Sequence, residues 1–262
     1  MNSLRGVYTI WYRDILRFWR DRMRLIGAIF LPLLFLFVFG SGLSARMGLL
    51  GAGTNFTQFM FPGIIGMTVL MSSFMAGVSV VWDREFGFLK EVLVAPISRA
   101  SVAAGKTLGA ATVAIIQGTI ILFFAPLIGV SFSPGTVLIL LPLMFLLAAA
   151  MGSFGVLLAT RIRTMEAFQA VMQMLTFPMI FLSGVFFPPQ GIPSWMSIVM
   201  KVNPATYGIA SIRQVVLGAP PGSPFGINLL GHTMSLWDNV AVMAVFGVTM
   251  TLLAMRSFSS QD

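Results

Sequence analysis

Residues 100–107, Ala-Ser-Val-Ala-Ala-Gly-Lys-Thr, come within one position of G-x-x-x-x-G-K-[ST]. That loop wraps backbone N–H groups around phosphates and aims a lysine at them. Ala100 stands where the first glycine would permit the turn, and the preceding Pro96-Ile97-Ser98-Arg99 is polar and turn-like, not a buried strand. The remaining chain leaves no room for a nucleotide-binding domain, so the match is read as chance. His232 is the only histidine, and its nearest acid in sequence is Asp238, which is too little for histidine catalysis. The absence of cysteine excludes disulfides, zinc-thiolate sites and thiol nucleophiles. Among the 19 methionines, Met67, Met71 and Met75 recur at four-residue steps. Thioethers bind Cu(I), but no cysteine or membrane-centred histidine completes such a site. Flexible packing and an adaptable surface for apolar ligands are the other readings. Gln117, Gln169 and Gln173 are the strongest polar groups within apolar runs, suited to bonding between helices or to lining a route. The chain is thus expected to hold no catalytic residue, metal or cofactor of its own.

The elements that would position these residues are apolar. Of the 262 residues 57% are hydrophobic and only 9% charged, against about a quarter charged in soluble domains. Too little charge is present to solvate a soluble surface of this size. The net charge of +8 suggests nucleic acid, but six of the sixteen basic residues crowd into the first 24 positions and most others sit in short gaps between apolar runs. That distribution orients a membrane protein and makes no basic face for phosphates.

A helix needs about 20 mostly apolar residues to cross a bilayer. Six stretches qualify: 25–43, 59–81, 108–130, 136–159, 167–187 and the shorter 240–255. The first is long enough to remain as an anchor, and its basic leader is too long for a secretory signal. Arg5, Arg13, Arg17, Arg20, Arg22, Arg24, Arg84, Lys90, Arg99, Lys106, Arg161, Arg163 and Arg256 fall on one side of the resulting topology; Arg46, Lys201 and Arg213 fall on the other. This bias predicts cytoplasmic N- and C-termini. The acids Asp83, Glu85, Glu91, Glu166 and Asp238 lie at span ends or in loops. Ion-coupled pumps keep ionisable groups within the membrane, so the energy source is expected outside this chain.

Three further segments carry information. Residues 1–24 form a basic amphipathic helix. Leu4, Tyr8, Trp11, Ile15 and Phe18 make its apolar stripe, and Trp11, Tyr12 and Trp19 suit the headgroup layer. It either anchors the first span or also touches a cytoplasmic partner. The gap at 83–107 contains Phe88, Leu89, Val92 and Leu93 on one helical face, flanked by Arg84, Glu85, Lys90 and Glu91. Charges of both signs favour a protein partner over anionic lipid. Residues 188–237 are broken by Pro188, Pro189, Pro193 and Pro204 yet keep Trp195, Ile198 and Val199. They read as a half-inserted hairpin near the outer leaflet or as a surface loop.

From Thr176 to Arg213 the chain carries Leu182-Ser183-Gly184-Val185, Ile192-Pro193, Asn203-Pro204, Tyr207 and Arg213. From Arg84 to Lys106 it carries Gly87, Glu91, Pro96, Arg99, Gly105 and Lys106. In these residues it resembles the permease subunits of ABC-2 type transporters, especially the daunorubicin-resistance-like multidrug exporters. The likeness covers nearly the whole chain; Ala205 departs from the larger apolar residue usual there.

The resemblance implies an all-α integral membrane protein. It would have six transmembrane helices (25–262), an N-terminal interfacial helix (1–24) and short re-entrant helices in the outer segment (188–237). It implies that two permeases pair, as two copies or with a similar chain, and that each meets a cytoplasmic ABC-type ATPase subunit, where ATP and Mg would bind. The ATPase-coupling loop would comprise Arg84, Glu85, Gly87, Phe88, Leu89, Lys90, Glu91, Pro96 and Arg99. The interfacial helix would present Trp11, Arg13 and Arg17. The outer segment would use Gly184, Pro188, Pro193, Trp195, Asn203, Pro204, Tyr207 and Arg213. Met67, Met71, Met75, Gln117, Gln169 and Gln173 are the candidates for lining the route. The expected function is outward movement of an amphipathic drug-like, lipid or glycan substrate across the plasma or inner membrane. The competing readings are a membrane scaffold and a lipid-modifying enzyme, the latter lacking any clustered His, Asp or Glu set.

Overall fold

The computed structural model describes residues 3–47, 55–85, 99–162, 164–219, 223, 225–229 and 231–259. Ten helices are described: α1 (Ser3–Arg20), α2 (Arg22–Met47), α3 (Phe56–Ser73), α4 (Met75–Glu85), α5 (Arg99–Leu122), α6 (Pro134–Arg161), α7 (Met165–Phe181), α8 (Ser194–Val202), α9 (Pro204–Leu217) and α10 (Leu236–Ser259). A 3-10 turn, Ala125–Ile128, follows α5. Two two-residue strands, Asn228–Leu229 and His232–Thr233, pair antiparallel before α10 and depart from the all-helical expectation.

Four helical segments are long and apolar enough to cross a membrane: Phe56–Glu85, Ser101–Leu122, Pro134–Arg161 and Leu236–Ser257. The predicted first span is apolar over the shorter stretch Ile26–Gly42. The predicted fifth ends as helix at Phe181, six residues early. Leu182, Ser183 and Gly184 turn the chain there, Gly184 at φ +80°, a conformation that favours glycine.

The second predicted span is the core of the bundle. Every residue of α3 except Thr57, Gln58 and Met71 is buried, and it packs against α2, α5, α6 and α9. The sequence run does not reveal its break at Phe74. There the Ser73 hydroxyl donates to the Leu70 carbonyl at 2.8 Å, and Gly77 N–H reaches back three residues to Phe74. Such back-bonding bends helices. Close approach then depends on small residues, as expected where lipid supplies no hydrophobic drive between helices. A Cβ at Gly77 would lie 2.5 Å from the Gly155 carbonyl oxygen, so α4 and α6 touch backbone to backbone. Hydroxyl pairs add to the α6–α10 seam: Ser153 with Thr251 at 2.8 Å and Thr160 with Ser257 at 2.7 Å.

Helix α1 lies along α5. Its buried residues are Gly6, Ile10 and Phe18, whereas Leu4 and Tyr8 of the predicted stripe face outward. The rotation follows from α5, whose Gly105-Lys-Thr-Leu-Gly109 is a G-x-x-x-G shelf. A Cβ at Gly105 would fall 2.9 Å from Ile10 Cβ and 3.0 Å from the Val7 carbonyl; one at Gly109 would fall 3.1 Å from Asp14 Cβ.

Candidate functional site

Asp83, Arg84 and Glu85 are the last three residues of α4, and each holds a different part of the bundle. The Asp83 carboxylate receives Lys106 Nζ of α5 and, at 3.2 Å, the Arg13 guanidinium of α1. Lys106 also donates to the Ser79 hydroxyl and, at 3.3 Å, to the Ser79 carbonyl. The Lys106 side chain is 1% exposed and that of Asp83 7%. Buried charge of this kind persists only when paired and hydrogen-bonded.

Arg84 Nη1 donates to the Ala159 and Ile162 carbonyls, each at 3.2 Å, at the C-terminus of α6. Glu85 Oε2 accepts from Met165 N–H at 3.1 Å, at the N-terminus of α7. A cation thus meets a helix C-terminus and an anion a helix N-terminus, both in the favourable sense of the helix dipole. Three consecutive residues therefore fasten α1, α5, α6 and α7 to α4.

Helix α1 adds its own contacts. Trp11 Nε1 donates to Thr112 Oγ1 of α5 at 2.9 Å, and the Arg17 guanidinium lies 5.6 Å from the Trp82 ring centre. Asp14 sits beside this junction, 3.5 Å from Arg13. Burial pushes its carboxyl above the usual range, against the pull of Lys106 and Arg13.

Of the predicted coupling residues, Arg84 and Glu85 are thus placed at the junction. Gly87, Phe88, Leu89, Lys90, Glu91 and Pro96 lie outside the described residues, and of Arg99 the backbone alone is described, opening α5. The predicted gap at 83–107 is helical at both ends, and residues 99–107 begin α5. The near-match to a phosphate loop is therefore helix, and its Gly105 and Lys106 serve helix packing and the ion pair.

Near the start of α3, at the other end of the α3–α4 segment from Asp83, Phe59 meets a second cluster. The fully buried Arg213 lies 4.2 Å from the Phe59 ring centre and donates to the Gly184 carbonyl. Asn203 caps the N-terminus of α9, accepting from Ala205 N–H at 3.1 Å. Its amide donates back to the Met179 and Leu182 carbonyls at 2.7 and 3.2 Å. Tyr207 donates to the Lys201 carbonyl at 2.6 Å. Pro204 opens α9 at its first position, where a missing N–H costs nothing. Gly184, Asn203, Pro204, Tyr207 and Arg213 are therefore brought together. Pro188 and Pro193 shape the chain between α7 and α8 without joining the cluster, and Trp195 projects outward, 62% exposed.

Between the two ends lie adjoining cavities of about 350 and 310 Å³ that share Leu31, Met71 and Met75. Met67 and Gln173 line the larger and Gln117 the smaller, while Gln169 is exposed and lines neither. Sequence reasoning missed Asp14, Phe59, Asp83 and Lys106 as site residues. The G-x-x-x-G at Gly105–Gly109, a known close-packing signal, is the pattern that could have pointed to the last.

Residues 5–217 match the ABC-2 type transporter family. Over 197 residues the chain is 34% identical to the ycf38 transport permease of Cyanophora paradoxa, covering 74% of this chain and 68% of that one. Over 229 residues it is 28% identical to the inner membrane transport permease YadH of Escherichia coli K12, covering 84% and 87%. Nodulation protein J of Rhizobium leguminosarum is 24% identical over 80% of this chain and 82% of its own. With its apolar helices and this match, the chain is a multi-pass membrane protein that belongs to the ABC-2 type transporter family of transport permeases.

Proposed function

We propose that this chain is the membrane-spanning subunit of an ATP-driven exporter, paired with a second permease and served by a separate cytoplasmic ATPase of ATP-binding-cassette type. In this reading α2, α3–α4, α5, α6, α7 and α10 are the six spans. The end bearing Asp83 faces the cytoplasm together with both termini, as the basic-residue bias favours. Segments α8 and α9 close the external end. The substrate is apolar or amphipathic and leaves outward through the space lined by α2, α3, α4 and α7.

One observation carries the proposal: Asp83, Arg84 and Glu85 tie four helices to the helix end that leads into 86–98. A partner that displaces this loop moves no isolated strap. It pulls on α1, α5, α6 and α7 at once, because salt-bridged, close-packed helices shift as rigid bodies. Nucleotide binding in the partner then supplies the differential free energy that selects between inward and outward states. The cavities abut this lever directly, since α4 contributes Met75 to both.

Charge reversal tests the lever. Arg84→Glu and Glu91→Lys, separately and together, are expected to leave ATP hydrolysis by the reconstituted complex intact while abolishing transport of a fluorescent amphiphile. Retained transport with both reversed removes this loop from the coupling role.

A further inference from the structure

The smaller of the two cavities has an unfinished polar corner. Ser72 Oγ and Gln117 Oε1 are buried and have no hydrogen-bond partner. The two residues are 7% and 2% exposed, and both line the cavity of about 310 Å³, together with Thr68. Thr68 spends its own proton on the Ile64 carbonyl at 2.8 Å and so presents lone pairs only. Buried polar atoms are almost always paired, and an orphan among them requires an explanation. Here two orphans and a third acceptor share one wall.

The rest of the space is apolar. Past Leu31, Met71 and Met75 the larger cavity is walled by aromatic rings, among them Phe35, Phe177 and Phe186. Neither cavity is lined by a charged residue. Beyond Ser72 a small cavity of about 70 Å³ contains Asp14 and Arg17, whose opposite charges give no net pull on an ionic head.

The geometry points to a binding site for an uncharged amphiphile: a hydroxyl- or amide-bearing head donates to Gln117 and Ser72, and a hydrocarbon body lies along the Met71–Phe177 wall. A charged head would be desolvated there without a counter-charge, which is far more costly than burying a neutral donor that finds acceptors. A head without donors can accept from the Ser72 hydroxyl but would leave the Gln117 oxygen unpaired, which is how polar sites reject analogues. Methionine and phenylalanine walls accept bodies of varied shape, so selectivity resides in the head. This inference deepens the export reading by naming the substrate class.

The test measures binding alone, on the purified full-length permease without any ATPase, by native mass spectrometry. The probes are monolauroylglycerol, its di-O-methyl ether, which has the same tail but no donor, and the cationic lauroylcholine. Monolauroylglycerol is expected to bind about tenfold tighter than the ether, the worth of one well-made buried hydrogen bond, and tighter still than lauroylcholine. Gln117→Leu is expected to lower monolauroylglycerol affinity to that of the ether and leave the ether unchanged. Gln169→Leu, at an exposed position that lines neither cavity, should change neither. Equal binding of the glycerol and its ether to the wild-type chain overturns the proposal, as does preference for the cation or absence of binding by all three. The wild-type comparison stands even if a variant fails to fold. None of these failures touches the coupling proposal, because no nucleotide step is involved.

Discussion

Removing Asp83 should destabilise this protein more than removing the whole ion pair to which it belongs. Asp83→Ala leaves the Lys106 ammonium, 1% exposed, hydrogen-bonded to Ser79 and without a contacting carboxylate, Asp14 acting on it only from further off. An uncompensated buried charge of this kind costs about 3–5 kcal/mol. Arg13 also loses its contact, but its side chain is 36% exposed and water replaces the carboxylate at little cost. Lys106→Met alone leaves Asp83 with Arg13 as its remaining cation. The double variant Asp83→Ala/Lys106→Met replaces the pair by apolar groups, a change that is often neutral for buried pairs. A double-mutant cycle on unfolding in mixed detergent micelles, followed by tryptophan fluorescence, should therefore return a coupling energy of about 3 kcal/mol or more. That energy should change little between low and high salt, because buried pairs are poorly screened. A cost for Asp83→Ala below about 1 kcal/mol, the value of a surface pair, or a double variant as unstable as the sum of the singles, would refute the reasoning.

Gly105→Ala places a Cβ within 3.0 Å of the Val7 carbonyl. It should cost about 1–3 kcal/mol and raise hydrogen exchange across 3–20, with α6 and α10 unaffected. Asn203→Ala removes the α9 cap and orphans the Met179 carbonyl. About 2 kcal/mol of stability should be lost, read as a lower midpoint in the same micelle titration. The pH dependence has a definite sign at Asp14. Burial raises its folded pKa above the unfolded value, so between the two the folded state holds the extra proton and stability falls as pH rises. Unfolding midpoints from pH 4 upward should show that slope, and Asp14→Asn should flatten it.

Much of the helical layout was legible because lipid imposes a crude rule: long apolar runs must be helices. The runs at 59–81, 136–159 and 240–255 fall within helices long enough to cross a membrane, whereas the run at 108–130 overlaps one that starts earlier and ends at Leu122. What escaped depended on neighbours. The bend at Phe74 arises from a serine bonding its own helix, and nothing in an even apolar run marks it. The buried face of α1 was misread because periodicity finds the most apolar stripe. The true contact is set by a glycine shelf on α5 that admits Ile10 and Asp14. Arg213 was named in the outer segment, but its burial and that of Lys106 were not readable, since burial of a charge is decided by its tertiary partners. Asn203-Pro204, by contrast, was readable locally, as a cap followed by proline at the first helical position. The cavity walls combine α2, α4 and α7, which no spacing within one helix can show.

The most direct test of the account is purification of the chain from its native membrane under conditions gentle enough to keep permease pairs together, with every co-purifying protein identified. The account predicts a soluble ATP-binding-cassette ATPase at equal stoichiometry, retained when Arg84 and Glu91 are both charge-reversed. A paired permease that emerges with no ATPase would contradict it.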